Sequence, residues 1–321
     1  MSRTRGLIAL AALVLMSSSS GCADTQGGHG DGSTVGLGEV EVITDASTLA
    51  FNPTGEFVFP SVFPAAGHLA DPLGEWYLYY APHEAPGGIA LMYADDLAGP
   101  WHEYSGNPLI ANELPGAYSV SHVSSPDAIW NEEEERLFLY FHGENTTTRF
   151  ATSADGLDFE YGGVAVENAG GEPEATESSY ARVFRNPDSS SADRYVMLFM
   201  DNTAADRRRI RLARSHDGRD WAVREAPLIE PTVEGDNVSG ANLWLTDGGP
   251  RIVYHGADGR IWQRSVNDAF TELSTPSVLL AVNGTRAAAP EPVDFGGETY
   301  LFFELGERLH AVVAVVNLHA R

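Results

Sequence analysis

A chain of 321 residues has room for one large domain or two modest ones, and 43% hydrophobic content with 20% charge excludes disorder, collagen and a membrane bundle over most of its length. All 20 basic residues are Arg, against 45 Asp and Glu, so the formal charge is −25. A field of that sign repels phosphate backbones and anionic headgroups, which excludes nucleic acid as a partner class and points to neutral ligands.

The first 21 residues read as an export signal. Arg3 and Arg5 form a positive start, and Gly6 to Met16 is an apolar run too short to span a bilayer. Ser19-Ser20-Gly21-Cys22 resembles a lipobox, in which the Cys is acylated and becomes the new amino terminus. Cys22 is the only Cys, so the expectation is a lipid anchor, no disulfides, and a place in the bacterial cell envelope. The Gly-rich stretch that follows cannot bury enough apolar area to order itself, and residues 22–47 are expected to be a flexible spacer. Residues 48–321 are expected to be the folded domain, monomeric and touching the membrane only through its anchor.

From Phe57 onward, three elements recur in fixed order. The first is a short apolar strand at Ser61 to Phe63, Ala128 to Trp130, Arg182 to Phe184, Asn242 to Trp244 and Pro292 to Asp294. The second follows a turn, at Trp76 to Tyr80, Leu137 to Phe141, Tyr195 to Phe199, Arg251 to Tyr254 and Tyr300 to Phe303. The third is a strand leading to an acidic turn and an aromatic, as in Arg149 to Gly156 with Phe159 and Ile210 to Gly218 with Trp221. Five copies of a small antiparallel sheet that cannot bury its own faces imply an all-β, five-bladed β-propeller. A β-sandwich would need no such repeat.

In a blade, the start of the innermost strand and the end of the second lie on one face. That places His122, Asp127, Glu177, Tyr180, Arg182, Asn242, Arg286 and Glu291 with His83, His142, Asp201, His255 and Glu304 at one funnel mouth. Asp127, between Pro126 and an apolar strand, should be desolvated near the axis and need a cationic partner, which Arg182 can supply. The run Glu132 to Glu135 reads as a charged turn on the opposite face. No short metal-ligand spacing is present, so no metal site is assigned; Ca²⁺ or Zn²⁺ at the axis is a secondary expectation. No phosphate loop or Gly-x-Ser-x-Gly elbow occurs. In a bacterial exported chain the Asn-x-Ser/Thr sequences at Asn145, Asn237 and Asn283 are not read as glycosylation sites.

Tyr77 to Tyr80 followed by Ile89 to Trp101, with its Ala-Asp-Asp-Leu-Ala-Gly-Pro-Trp ending, resembles the first blade of the five-bladed glycoside hydrolases of families 43 and 117. His122 to Ile129 and Tyr180 to Phe184 are similar to their second and third blade openings. The resemblance implies cleavage of glycosidic bonds by residues at innermost-strand starts, with Asp127 as base or its tuning carboxylate and Glu177 or His122 as acid. His83, Tyr180, Arg182, Asn242, His255 and Glu291 would bind substrate, with inverting carboxyls roughly 6.5 to 9.5 Å apart. The sequence also departs from the pattern. Family 43 enzymes carry their base Asp directly before Pro-Ser-Val, where Phe59 stands here. The second-blade Asp precedes Pro in the family but follows Pro126 here, and Glu177 lies further upstream than the family acid. Family 117 implies a His as acid, a role open to His83 or His122. Hydrolase and catalytically silent glycan-binding or partner-binding propeller are therefore both expectations, and a metal-dependent enzyme of another kind, such as a lyase, is a third.

Overall fold

In the computed structural model, which describes residues 36–168 and 175–319, every first- and second-element run named above lies in a strand. The strands assemble into five antiparallel sheets arranged as a five-bladed β-propeller, with Glu113–Leu114 and Tyr118–Ser119 forming a separate two-stranded ribbon. Within each sheet the chain runs outward from the axis. Blade one holds Val58–Phe63, Trp76–Ala81, Ala90–Ala94 and His102–Glu103. Blade two holds Val123–Asn131, Arg136–Gly143, Thr147–Ser153 and Glu160–Glu167. Blade three holds Ala175–Arg185, Tyr195–Thr203, Arg208–Ser215 and Ala222–Val223. Blade four holds Val238–Thr246, Gly249–Gly256, Ile261–Ser265 and Ser277–Leu280.

Blade five is completed from both ends of the domain. Ala287–Phe295, Glu298–Leu305 and Val312–His319 are followed on the outer edge by Gly36–Leu37 and Glu41–Val42, both paired antiparallel with Val312–His319. Of the spacer expected over residues 22–47, residues 36–37 and 41–42 instead belong to the ring, because the last blade offers an edge whose backbone groups need partners, and residues 22–35 lie outside the described residues. Cys22 and the export segment lie outside the described residues.

The apolar side chains form wedges between successive blades. Tyr77, Tyr79, Leu137 and Phe141 meet between blades one and two, and Phe138, Tyr140, Val183 and Met197 between two and three. Leu198, Leu212, Ile252 and Tyr254 fill the next gap, Val253, Ile261, Leu301 and Phe303 the one after, and Trp76, Leu78, Phe302 and Val313 close the circle. A blade is apolar on both faces because both are covered, which is why the second strands read as unbroken hydrophobic runs.

The Asp-Gly turns also join blades. In Ser153-Ala154-Asp155-Gly156 the serine hydroxyl accepts the Gly156 N–H at 2.8 Å and Asp155 accepts the Leu157 and Asp158 N–H groups. Gly156 takes φ 74°, and its carbonyl accepts a hydrogen bond from the Tyr79 hydroxyl of blade one at 2.9 Å. Tyr140 repeats this one blade later, donating to the Gly218 carbonyl at 2.6 Å. As expected, Glu132–Glu135 forms the turn at the far end of blade two.

Candidate functional site

Each innermost strand is irregular where it begins. Its register against the second strand shifts between Val58 and Ser61, Ser124 and Asp127, Ser179 and Arg182, Ser239 and Asn242, and Ala288 and Glu291. Inside each shift one residue has a left-handed backbone: Phe59 (φ 57°), Ser125 (46°), Tyr180 (53°), Gly240 (57°) and Ala289 (43°). These are β-bulges, which insert an extra residue and re-aim the strand. They define two tiers of equivalent positions around the axis: the bulge residues, and, two residues later, Ser61, Asp127, Arg182, Asn242 and Glu291.

The lower tier ties the blades together. Ser61 Oγ accepts the Ala128 N–H of blade two at 2.9 Å. Asp127 Oδ2 accepts the Val183 N–H of blade three at 2.7 Å, and Glu291 Oε1 accepts the Val62 N–H of blade one at 3.1 Å. Arg182 donates to the Pro126 and Pro60 carbonyls, both at 2.9 Å, and to Asp127 Oδ1 at 3.3 Å, with Glu291 Oε2 at 3.7 Å. Asn242 Nδ2 donates to Glu291 Oε2. All of these charges are buried. Burial pushes the Asp127 carboxyl up, opposed by Arg182 and the Val183 N–H; burial likewise pushes Glu291 to about 7, with Arg182 opposing and Asp127 adding to the rise. Arg182 is thus the cationic partner expected for Asp127.

The upper tier faces the mouth. Phe59 and Tyr180 pack ring to ring at 5.2 Å, and Val58, Met200, Ala289 and Ala311 complete an apolar seal across the axis. His83 donates or accepts through Nε2 with the Tyr180 hydroxyl at 2.9 Å, while its Nδ1 accepts from Arg308 at 3.1 Å. Since Arg308 can only donate, His83 is neutral with the proton on Nε2, so it is the donor to Tyr180. Burial, then Arg308, holds the His83 imidazole below its ordinary value, and burial raises Tyr180 to about 12. In blade two, Ser125 Oγ bonds His142 Nδ1. The His142 ring lies 5.5 Å from that of His122 and 5.3 Å from that of Tyr180. His122 Nε2 is 3.1 Å from Asn145 Oδ1.

Second-strand residues at this level reach the next blade. His255 Nδ1 accepts the Ala289 N–H at 3.2 Å, and Glu304 Oε1 accepts the Phe59 N–H at 3.2 Å while Arg286 donates to Oε2 at 3.0 Å. Burial drives His142 and His255 well below the usual imidazole value, with neighbouring His122 adding for His142 and Arg286 and Arg208 for His255. Between these groups lies a narrow hollow of about 60 Å³, lined by Phe59, His83, Tyr180, Ser239, Arg286 and Arg308 among others.

The expected residues therefore divide. His83, Tyr180, His255 and His122 stand at or beside the mouth. Asp127, Arg182, Asn242 and Glu291 lie one tier below, with their polar atoms committed to neighbouring blades, so the shift of one residue relative to Pro126 turns Asp127 from the mouth to the seam. Glu177 is in the upper part of blade three: its Oε1 accepts from Asn202 at 3.0 Å and its buried Oε2 has no partner. Asp201 faces away from the mouth; Met200 is the residue in register with Ser179. Asp201 instead holds Arg209 and Arg211 at 2.8 and 3.2 Å. Ser125, Arg208, Ser239 and Arg308 were not among the expected site residues. Arg308 sits in the loop joining the second and third strands of blade five, the counterpart of the His83 loop, and that equivalence was the signal available. Among the described residues no group of three or more His, Cys, Asp or Glu is placed to hold a metal ion.

No family model and no curated protein matches this sequence. Solved structures match the fold. A thermostable family-43 glycoside hydrolase superposes with a TM-score of 0.52 at 17% identity, covering 61% of this chain and 68% of that one. An endo-1,4-β-xylanase from Bacteroides thetaiotaomicron gives 0.59 at 14% identity, covering 83% and 94%. An exo-β-1,3-galactanase from Phanerochaete chrysosporium, solved with β-1,3-galactotriose, gives 0.59 at 13% identity, covering 88% of this chain and 63% of its own length, so this chain spans less than two thirds of that enzyme. The fold is the family-43 propeller. On this family-43 frame, the bulge positions of the first two blades carry Phe59 and Ser125, and neither is a carboxylate.

Proposed function

We propose that this glycoside-hydrolase-like propeller holds a glycan at its mouth without cleaving it, and that the chain is exported and anchored through an acylated Cys22. The observation that carries the glycan reading is a concentration of buried polar atoms with no hydrogen-bond partner. Nine such side-chain atoms occur among the described residues, and five of them are on this side of blades two to four: His142 Nε2, Glu177 Oε2, Ser179 Oγ, Arg208 Nε and Ser239 Oγ. Folded proteins leave few buried polar groups unpaired; two of the five residues, Arg208 and Ser239, line the hollow, and with His83, Arg286 and Arg308 on its wall they make a polar rim suited to a ligand rich in hydroxyls. The neighbours bound to or named for carbohydrate substrates support the same class.

Absence of cleavage follows from what stands at the axis. Glycoside hydrolysis needs a proton donor and a base or nucleophile on opposite sides of one bond. Phe59 and Ser125 offer neither carboxylate, and Asp127 gives both oxygens to its neighbours. The hollow also has far less room than the roughly 300–1,000 Å³ of a typical ligand pocket, so a sugar engages it from the rim. The anchor reading rests on the charged start, the apolar run and the unique Cys22 of the sequence.

Hydrolysis remains the second reading because Glu177 has an unpartnered oxygen and His122 stands beside His142, an acid and a relay on one rim. Calorimetry and product analysis with a panel of plant and algal oligosaccharides separate the two. Binding without released sugar supports the proposal. Turnover that Glu177→Gln abolishes overturns it in favour of the enzyme.

A further inference from the structure

Resting on the glycan reading above, we infer that the sugar taken at the mouth bears an acidic group, a carboxylate or a sulfate, and that Arg308 passes from Glu84 to that group on binding. The protein as a whole carries −25, yet three guanidinium groups, Arg208, Arg286 and Arg308, line this one hollow, beside the carboxylates Glu56 and Glu304. Glu304 is engaged through both oxygens and Glu56 through one. Glu56 Oε2 accepts the His83 and Glu84 N–H groups at 3.1 Å each and the Thr54 hydroxyl at 3.0 Å. Glu304 is divided between the Phe59 N–H and Arg286.

The arginines are less fully used. Arg308 donates to Glu84 at 2.8 Å, but this pair is exposed, 59% and 45%, and exposed pairs contribute little. Exchanging Glu84 for another carboxylate therefore costs little. Arg208 lies 3.9 Å from Glu177, and its Nε is buried without a partner. Ser239, 4% exposed, points an unpartnered hydroxyl at the same hollow. A planar fork such as guanidinium matches a carboxylate or sulfate edge with two parallel hydrogen bonds, and Ser239 adds a third donor.

The field at the mouth is mixed: after burial, Arg308 lowers His83 while Glu304, Glu56 and Glu84 raise it, and Arg286 and Arg208 lower His255, so an anion is favoured where it meets the guanidinium groups directly. Fixed charges act within a Debye length of about 8 Å, so this field governs a docked group while the acidic exterior governs approach. The expectation of neutral ligands, drawn from net charge, applies to the surface as a whole and not to this spot.

The test is calorimetry on the full chain with uronate- and sulfate-bearing oligosaccharides, each paired with its carboxyl-reduced or desulfated counterpart. At least one acidic member should bind roughly tenfold or more tightly than its neutral counterpart, and the difference should shrink with added salt. Arg308→Ala should weaken acidic members more than their neutral counterparts and so reduce the preference. Glu84→Gln, which removes the charge that holds Arg308, should strengthen acidic ligands more than neutral ones. Neutral members binding as tightly as acidic ones, or Glu84→Gln leaving acidic binding unchanged, overturns the inference while the glycan reading stands. Failure of every sugar, acidic or neutral, overturns the glycan reading and this inference with it.

Discussion

Asp127 and Glu291 flank one guanidinium, and their situation sets two measurable outcomes. Removing Asp127 leaves Arg182 buried beside a single carboxylate and the Val183 N–H without an acceptor. Asp127→Ala should cost about 3–5 kcal/mol of stability, read as a lower urea midpoint with unchanged slope, whereas loss of function without loss of stability would contradict a seam role. Glu291 has a folded-state value of about 7, above its ordinary 4.5, so the folded protein holds that proton more tightly than the unfolded chain. Its contribution is complete below about 4.5 and is lost as pH rises through about 7. The stability difference between the wild type and Glu291→Gln should therefore fall across that interval when midpoints are compared at successive pH values. Glu234 works in the other direction. Burial pushes it up, but the bonds from Tyr254 and Arg264 outweigh that and hold it at about 2, so its stabilisation is present above 4.5 and disappears as pH falls toward 2. At this scale the sequence revealed that Asp127 is desolvated and meets Arg182. It did not reveal which tier they occupy, because that depends on one inserted residue per strand, and a left-handed backbone at Phe59, Ser125 or Tyr180 has no signature in residue type.

The bulges are the element that creates the two tiers, and Gly240 is the one of the five that must be glycine. A Cβ there would approach His255 Nδ1 to 2.9 Å on a backbone already at φ 57°. Gly240→Ala should lower stability by about 1–3 kcal/mol, checked by thermal unfolding, and disturb the bond between His255 and the Ala289 N–H. A separate pair of elements, the second strand of one blade and the Asp-Gly turn of the next, is joined by tyrosine hydroxyls. Tyr79→Phe leaves the Gly156 carbonyl without that donor and should cost about 1 kcal/mol, measurable by denaturation, with the blade otherwise intact. Strands were the most legible part of the sequence, since covered sheets demand unbroken apolar runs and Asp-Gly demands a turn. The loops that reach over the mouth were less so: Arg308 is an ordinary exposed residue by composition, and only its place after the second strand of blade five brings it to His83 and Glu84.

For the whole molecule, closure is the decisive arrangement. The outer edge of the fifth blade is supplied by residues 36–42 against Val312–His319. Deleting residues 36–44 should bare the backbone groups of Val312–His319, lower the melting temperature and promote concentration-dependent association through that edge, which light scattering would detect; a monomer of unchanged stability would show that closure contributes nothing. The ring and its five units were readable from the periodicity of the sequence, whereas this seam was not, because Gly36–Leu37 and Glu41–Val42 are too short and polar to announce themselves as strands.

That seam also decides how the molecule yields to traction. Among the described residues, tension arriving from the amino-terminal side first reaches Gly36, opposite His319, so the ring would begin to come apart where its circle was joined. Stretching single molecules between Cys22 and the carboxyl end should accordingly record a small early release of the edge pairs, ahead of the larger rupture of the blades.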